Sequence, residues 1–306
     1  MVETPRVSII LPHLNEPDLL TCLRSLDCQR ADGIPFEILV VDNGSTVLPE
    51  GTVSLVPGAR LLSQPIPGPG PARNLGAEEA KGDLLLFIDA DCIAMPGWLS
   101  RIVNYFDEHP DVDVVGGDIR IQPAKASDLT AVEAYESVYS YRARNYVERY
   151  GFAATGNMAV RADVFRKVGP FGGIGTMEDT AWGQRATALG HRIAFVEGAC
   201  VKTPSCRSFA ELAKRWDRHV AHEFRSIDKS RLSTARWLAK SAVMALSPLG
   251  EIPTILRSNR LETGRERRLC FTCLAQVRLY RAQRMAGLVW RDNAASMVDL
   301  WNREKR

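Results

Sequence analysis

No apolar run in the chain is long enough to cross a bilayer. The longest stretches, Trp237 to Leu249 broken by Lys240 and Leu269 to Trp290 broken by Arg278, Arg281 and Arg284, fall short of the roughly 20 residues that spanning requires. No internal repeat or low-complexity tract is evident, so a solenoid or fibrous architecture is excluded. The seven cysteines are odd in number and scattered, which argues against a disulfide framework and fits a reducing compartment. Cys270-x-x-Cys273 has no second pair and lies in a helical run, so it reads as packing. No secretory leader is seen, since Met1-Val2-Glu3-Thr4-Pro5 leads straight into a strand, and a cytoplasmic protein is expected. Net charge is only +3 and no recognition motif accompanies the basic residues, so no nucleic-acid partner is expected.

What remains is the composition of an ordinary globular chain, 45% hydrophobic and 25% charged over 306 residues, enough for one α/β domain and an appendage. Its most informative segment is Leu84-Leu85-Leu86-Phe87-Ile88-Asp89-Ala90-Asp91-Cys92, an apolar strand that ends in two carboxylates. Ligands of open α/β sheets bind outside the carboxyl ends of such strands. Alternate residues of an extended segment share a side, so Asp89 and Asp91 flank Ala90 as paired oxygen donors suited to Mg²⁺ or Mn²⁺ carrying a diphosphate. The alternative is a loop whose acids are solvated or cap the next helix.

Three further strand-to-helix steps precede it. Val7 to Pro12 leads into a loop with Asn15 and Glu16, then a helical pattern through Leu19, Leu20, Leu23 and Leu26. Phe36 to Asp42 ends in Asn43-Gly44-Ser45, and Arg60-Leu61-Leu62 leads through a Gly/Pro loop to a helix beginning near Pro71-Ala72-Arg73-Asn74. Alternation of this kind predicts a mostly parallel sheet with Glu16, Asp42, Arg73 and Asp89 along one edge. Singly, Glu16 and Asp42 also suit helix or turn caps. Gly68-Pro69-Gly70-Pro71 is not a dinucleotide fingerprint, because Arg73 stands where the third glycine belongs. Glu178-Asp179 opens a helical run after Phe171-Gly172-Gly173-Ile174-Gly175. These acids either favour the helix dipole or supply a general base, with neighbouring charge and partial burial raising the pKa. The helical stretch Leu129 to Arg149 carries Tyr135, Tyr139, Tyr141 and Tyr146, most of them suited to packing and some to a sugar.

The ordered series VSIILPHLNE, VVDNGS, GPARNLGAEEAKGD, LFIDAD, GNMAVRADVFRKVGPF and EDTAWGQRATALG resembles the inverting glycosyltransferases of family 2 over about residues 5 to 225. The resemblance implies the GT-A fold, a Rossmann-like mixed, mostly parallel sheet flanked by helices, and a nucleotide-sugar donor. It implies that Pro12 and Glu16 line the nucleoside pocket, with Asn43 beside them, that Asp42 bonds the base, and that Arg73 approaches base or diphosphate. Asp89 would hold ribose or metal, Ala90 would lie between the acids, and Asp91 would be the direct ligand of Mn²⁺ or Mg²⁺. Asp179 would be the catalytic base, with Gly156, Asn157 and Glu178 on the acceptor side. The chain departs from the family where many relatives supply a histidine ligand, reading Lys202-Thr203-Pro204 there, so His219 or His222 are the remaining candidates. Arg215-Trp216, also expected on the acceptor side, matches the end of the Gln-x-x-Arg-Trp motif of processive relatives, but Leu212 replaces the Gln, which favours transfer of one sugar. The rival readings are a sugar-1-phosphate nucleotidyltransferase and an inactive sugar-nucleotide or membrane scaffold.

Residues 1–230 are thus expected to form the catalytic domain, about 5–95 as the nucleotide half and about 96–230 as the acceptor half, with 231–306 as a helical tail. That tail holds 15 Lys/Arg against 6 Asp/Glu, a balance of +9 that leaves −6 elsewhere. Its amphipathic helices, with Trp237 and Trp290 as interfacial anchors, suit an anionic membrane surface on the inner face, next to a glycan or polyprenyl-linked saccharide acceptor. A helical lid or dimer interface is the alternative.

Overall fold

The computed structural model describes residues 4–125, 128–228 and 230–291; the end of the expected tail, 292–306, lies outside them. The chain divides into two units, one of residues 1–120 and 142–203, the other of 121–141 with the chain from Pro204 on. The division thus departs from a boundary at 230, because helix Ala131–Tyr139 packs on helix Gly264–Arg291.

The first unit is built on an eight-stranded sheet: β1 (Val7–His13), β2 (Phe36–Asp42), β3 (Ala59–Ser63), β4 (Leu84–Ile88), β5 (Ile93–Ala94), β6 (Val114–Gln122), β7 (Asn157–Arg161) and β8 (Ile193–Pro204). The order is β3-β2-β1-β4-β7-β6-β8-β5. The first four neighbours are parallel, whereas β7 runs antiparallel to both β4 and β6. Strands β2 and β4 are buried throughout and β1 nearly so, which explains their unbroken apolar runs. β1 continues through Pro12 to His13, and the third helix begins at Pro69.

Two packing features aim the chain at the ends of these strands. Helix Pro69–Glu79 lies close on β1 because Gly76 faces Ile10; a Cβ there would stand 2.4 Å from Ile10 Cγ2. On the same core, Phe87 of β4 meets Phe171 edge-on at 5.3 Å, and Phe171 meets Trp182 at 5.5 Å. Trp182 is fully buried and donates to Gly169 O at 2.8 Å, which fixes helix Glu178–Ala188 by its second turn. None of the seven cysteines is in a disulfide.

The second unit is helical, with Ala131–Tyr139, Phe209–Ser226, Arg231–Leu246 and Gly264–Arg291 as its main elements. The predicted helix 129–149 is in fact two, Ala131–Tyr139 and Ala143–Tyr150. Glu136 draws the break together, accepting from Ser140 Oγ at 3.0 Å, Cys206 N at 2.7 Å and Arg215 Nη1 at 2.5 Å. Tyr135 and Tyr139 are buried and stack at 5.3 Å, so both serve packing. Trp237 corrects an expectation: it is buried and donates to Met285 O at 2.8 Å, whereas Trp290 is exposed. Among the described residues no helix is long and apolar enough to cross a membrane.

Candidate active site

Asp89 and Asp91 follow β4 directly, and Arg73 joins the first of them to the helix that follows the glycine loop. Its Nη2 donates to Asp89 Oδ1 at 2.6 Å and its Nη1 to Glu178 Oε1 at 2.9 Å. The guanidinium is buried while Asp89 is half-exposed, so one rigid fork holds two carboxylates from distant segments. Its remaining nitrogen, Nε, is buried without a hydrogen-bond partner among the described residues. Asn74 secures the arrangement from the next residue, its Nδ2 donating to Phe171 O at 3.0 Å and its Oδ1 accepting from Phe171 N at 2.9 Å. Gly70 permits the same approach, since a Cβ there would stand 2.0 Å from Gly172 O.

Asp179 lies beside this bridge in the first turn of its helix, accepting from Thr180 N at 2.6 Å. Burial, and after it the charge of Glu178, hold its carboxyl above the usual range, only partly offset by Thr180 and Arg73. This is the environment of a general base.

Ligand atoms of Asp89, Asp91 and Cys92 lie within 4.8 Å of one another. Burial, then the charges of Asp89 and Asp91, push the Cys92 thiol well up, so it offers only a neutral sulfur. The donors are therefore carboxylates, which fit a hard cation such as Mg²⁺ or Mn²⁺. Asp89 already carries Arg73 on one oxygen. Gly156, just before β7, sits against Asp89; a Cβ there would lie 3.0 Å from Oδ2. The pairing of Ile88 with Asn157 across β4 and β7 brings it there.

At the ends of β1 and β2, His13 and Asp42 are register partners and both are buried. His13 Nδ1 lies 3.0 Å from Asp42 Oδ1, and the Glu16 amide donates to Nε2 at 3.3 Å, so the proton belongs on Nδ1. Burial alone would raise the Asp42 carboxyl, but bonds from Ser45, His13 and the amides of Ser45 and Gly44 hold it below its ordinary value. These donors occupy most of the carboxylate's acceptor sites. Asp42 is therefore first a loop anchor, with little capacity left for a base. Pro12 is half-buried in β1, next to His13.

Three other expected contacts are engaged in structure. Asn43 donates to the carbonyls of Gln64 and Ile66 and accepts from Gly68 N, so its side chain ties two loops together. Asn157 is buried; it donates to Asp118 O at 2.8 Å and Ala199 O at 2.9 Å and accepts from Trp98 Nε1 at 2.8 Å. Its side chain is spent on the fold, so an acceptor role rests on Gly156. Arg215 and Trp216 belong to the helical unit, where Arg215 bonds Glu136 and the Arg281 guanidinium lies 4.0 Å over the Trp216 ring. His219 and His222 are exposed on the same helix, Phe209–Ser226. Sequence reading missed His13 and Asn74. His13 lies one residue past Pro12 in the quoted VSIILPHLNE, but only strand register sets it opposite Asp42.

The family model described as Glycosyl transferase family 2 matches residues 8–169. Glycosyltransferase AglE of Haloferax volcanii is 30% identical over 270 residues, covering 85% of this chain and 86% of that protein. Among solved structures, the mannosyltransferase PcManGT of Pyrobaculum calidifontis, in complex with GDP-Man and Mn²⁺, aligns with a TM-score of 0.58 at 17% identity, over 95% of this chain and 88% of that one. Residues 1–349 of S. aureus TarS, in complex with UDP-GlcNAc, align with a TM-score of 0.52 at 19% identity, over 87% and 70%. At such identities these two neighbours speak for the fold alone.

Proposed function

The chain belongs to glycosyl transferase family 2 and has its GT-A fold, and on that premise we propose that it moves a single sugar from a UDP-sugar, with inversion, to a hydroxyl of a glycan or polyprenyl-linked saccharide in surface polysaccharide assembly. The observation that carries this reading is the Arg73 bridge, which places Asp89 and Glu178 on one guanidinium with Asp179 adjoining.

Asp179 removes the proton from the acceptor hydroxyl as that oxygen attacks the anomeric carbon, and the bond from that carbon to the diphosphate oxygen breaks on the opposite face. Its raised pKa makes it a stronger base than a solvated aspartate. Arg73 keeps Glu178 and Asp89 at fixed separation, which orients acceptor and donor for in-line attack. A divalent ion, Mn²⁺ or Mg²⁺, held by Asp91 with Asp89 beside it, would supply Lewis-acid stabilisation of the leaving diphosphate. PcManGT was solved with Mn²⁺, which supports metal use here. For the base, what capacity Asp42 retains suits the single N3–H of uracil better than the paired N–H donors of guanine. TarS was solved with a UDP-sugar and PcManGT with a GDP-sugar, so the donor must be measured.

Calorimetric titration with UDP, GDP and their sugar conjugates, with and without Mn²⁺, tests the reading. UDP binding that needs the metal and is lost in Asp91→Asn is expected; metal-independent or absent binding would overturn it.

A further inference from the structure

Helix Arg231–Leu246 continues through a 3₁₀ turn, Ser247–Glu251, into helix Ile252–Arg257, with αR backbone at both junctions. One stripe of this path faces inward: Trp237, Ser241, Met244, Pro248 and Ile255 are buried. A surface helix ordinarily sets polar residues opposite such a stripe, and a helix apolar all round is buried on all sides. Here the opposite row is apolar too. Val243, Leu246, Leu249, Ile252 and Leu256 recur at three- and four-residue spacing and are all exposed, Leu246 to 75%. A 3₁₀ turn eclipses residues three apart, which keeps the row on one side through Ser247–Glu251. An exposed apolar row of this length marks a surface that another phase or molecule covers.

Charge identifies what covers it. From residue 231 to 257 the exposed ionic side chains are Arg231, Arg236, Lys240 and Arg257, flanking the apolar row at both ends, with Lys240 paired to Glu223 of the preceding helix. The sole acid there, Glu251, is half-buried and taken by Arg278 at 3.1 Å and Tyr139 at 3.2 Å. Apolar side chains framed by cations, with no exposed carboxylate between, complement an anionic bilayer surface, where leucines enter the acyl boundary and arginines meet phosphates. We infer that the row from Val243 to Leu256 is a docking face for an anionic membrane. The helix lies in the interface plane and does not span. This inference is independent of the donor and metal.

Flotation of the full chain with vesicles of phosphatidylglycerol in phosphatidylcholine tests it, beside vesicles of phosphatidylcholine alone. Binding only to the anionic vesicles is expected, weakened by added salt and reduced about tenfold or more in Leu246→Glu/Leu249→Glu. Because both side chains are exposed, that variant should keep its melting temperature and its calorimetric binding of UDP. Arg236→Glu/Lys240→Glu provides a second variant that leaves the apolar row intact and is expected to lose the same binding. Absent binding, equal binding to neutral vesicles, or binding unchanged in both variants would overturn the inference. So would a dimer in light scattering that Leu246→Glu/Leu249→Glu dissolves, since the row would then be an interface between copies. Flotation needs no donor and calorimetry needs no vesicle, so this inference and the proposed reaction fail separately.

Discussion

Arg73 donates to Asp89 at 2.6 Å from a guanidinium that is almost wholly buried, while the Asp89 side chain stays half-exposed. The bond converts a strand-end carboxylate into a fixed point of the site, and the other arm of the fork extends that fixity to Glu178. Arg73→Lys keeps the charge but cannot span both carboxylates. We expect a stability loss of about 2–3 kcal/mol by thermal melting and a fall in transfer rate on the order of 100-fold, the usual penalty for misplacing reacting groups. Wild-type turnover in Arg73→Lys would show that the bridge is incidental.

Asp179 sets a pH dependence. As a base it must be ionised, and its pKa lies above the ordinary 3.8, so the acid limb of kcat/KM should lie higher than a solvated aspartate would give. Glu178→Gln removes the like charge and should move that limb to lower pH. Asp179→Asn should lose transfer by on the order of 10²- to 10⁴-fold with donor binding retained. Its stability effect has the opposite sign. A carboxyl whose folded pKa is raised destabilises above that pKa, and the penalty disappears as pH falls to the unfolded value. Asp179→Asn should therefore melt higher than wild type near neutral pH and alike in acid.

His13 is expected to govern the loops after β1 and β2. His13→Leu strands the Glu16 amide and removes a donor from Asp42, at a loss of about 1–3 kcal/mol. Because the Asp42 carboxyl is held low, its stabilisation is present above the ordinary pKa and lost as pH falls through the folded value. The variant should lose less stability than wild type between those values, and its KM for donor should rise more than kcat falls. A variant with wild-type KM and melting curve would separate His13 from the pocket.

Asn157 is a stability residue in this structure. Asn157→Ala frees the Trp98 indole and two carbonyls, and a loss of about 2–4 kcal/mol is expected, visible in urea unfolding. Activity corrected for folded fraction should change little; a change confined to acceptor KM would restore the acceptor role.

The strands before Asp42 and Asp89 were legible because burial on both faces leaves an unbroken apolar run, and the polar residues that follow mark where the sheet opens to solvent. The Arg73 bridge was half legible. Each carboxylate could be named, but their meeting depends on Gly76 and Gly70 letting one helix approach β1 and the glycine loop. Asn43 and Asn157 look like ligand contacts in sequence because nothing local reveals the carbonyls they satisfy. The break at residues 140–142 carries no proline or glycine; its cause, Arg215 on Glu136, comes from a helix some 70 residues later. Trp237 was read as interfacial because composition does not tell which face of a doubly apolar helix turns inward.

The antiparallel seat of β7 against β4 has a consequence for the rigidity of the site. β4 ends just before Asp89 and β7 begins just after Gly156, and one backbone pair, Ile88 with Asn157, sets the distance between the two strand ends. That pair works as a fixed ruler between the two substrate sides. Ala153 and Thr155, just ahead of β7, are buried, so the approach to Gly156 is held by the core as firmly as the pair itself.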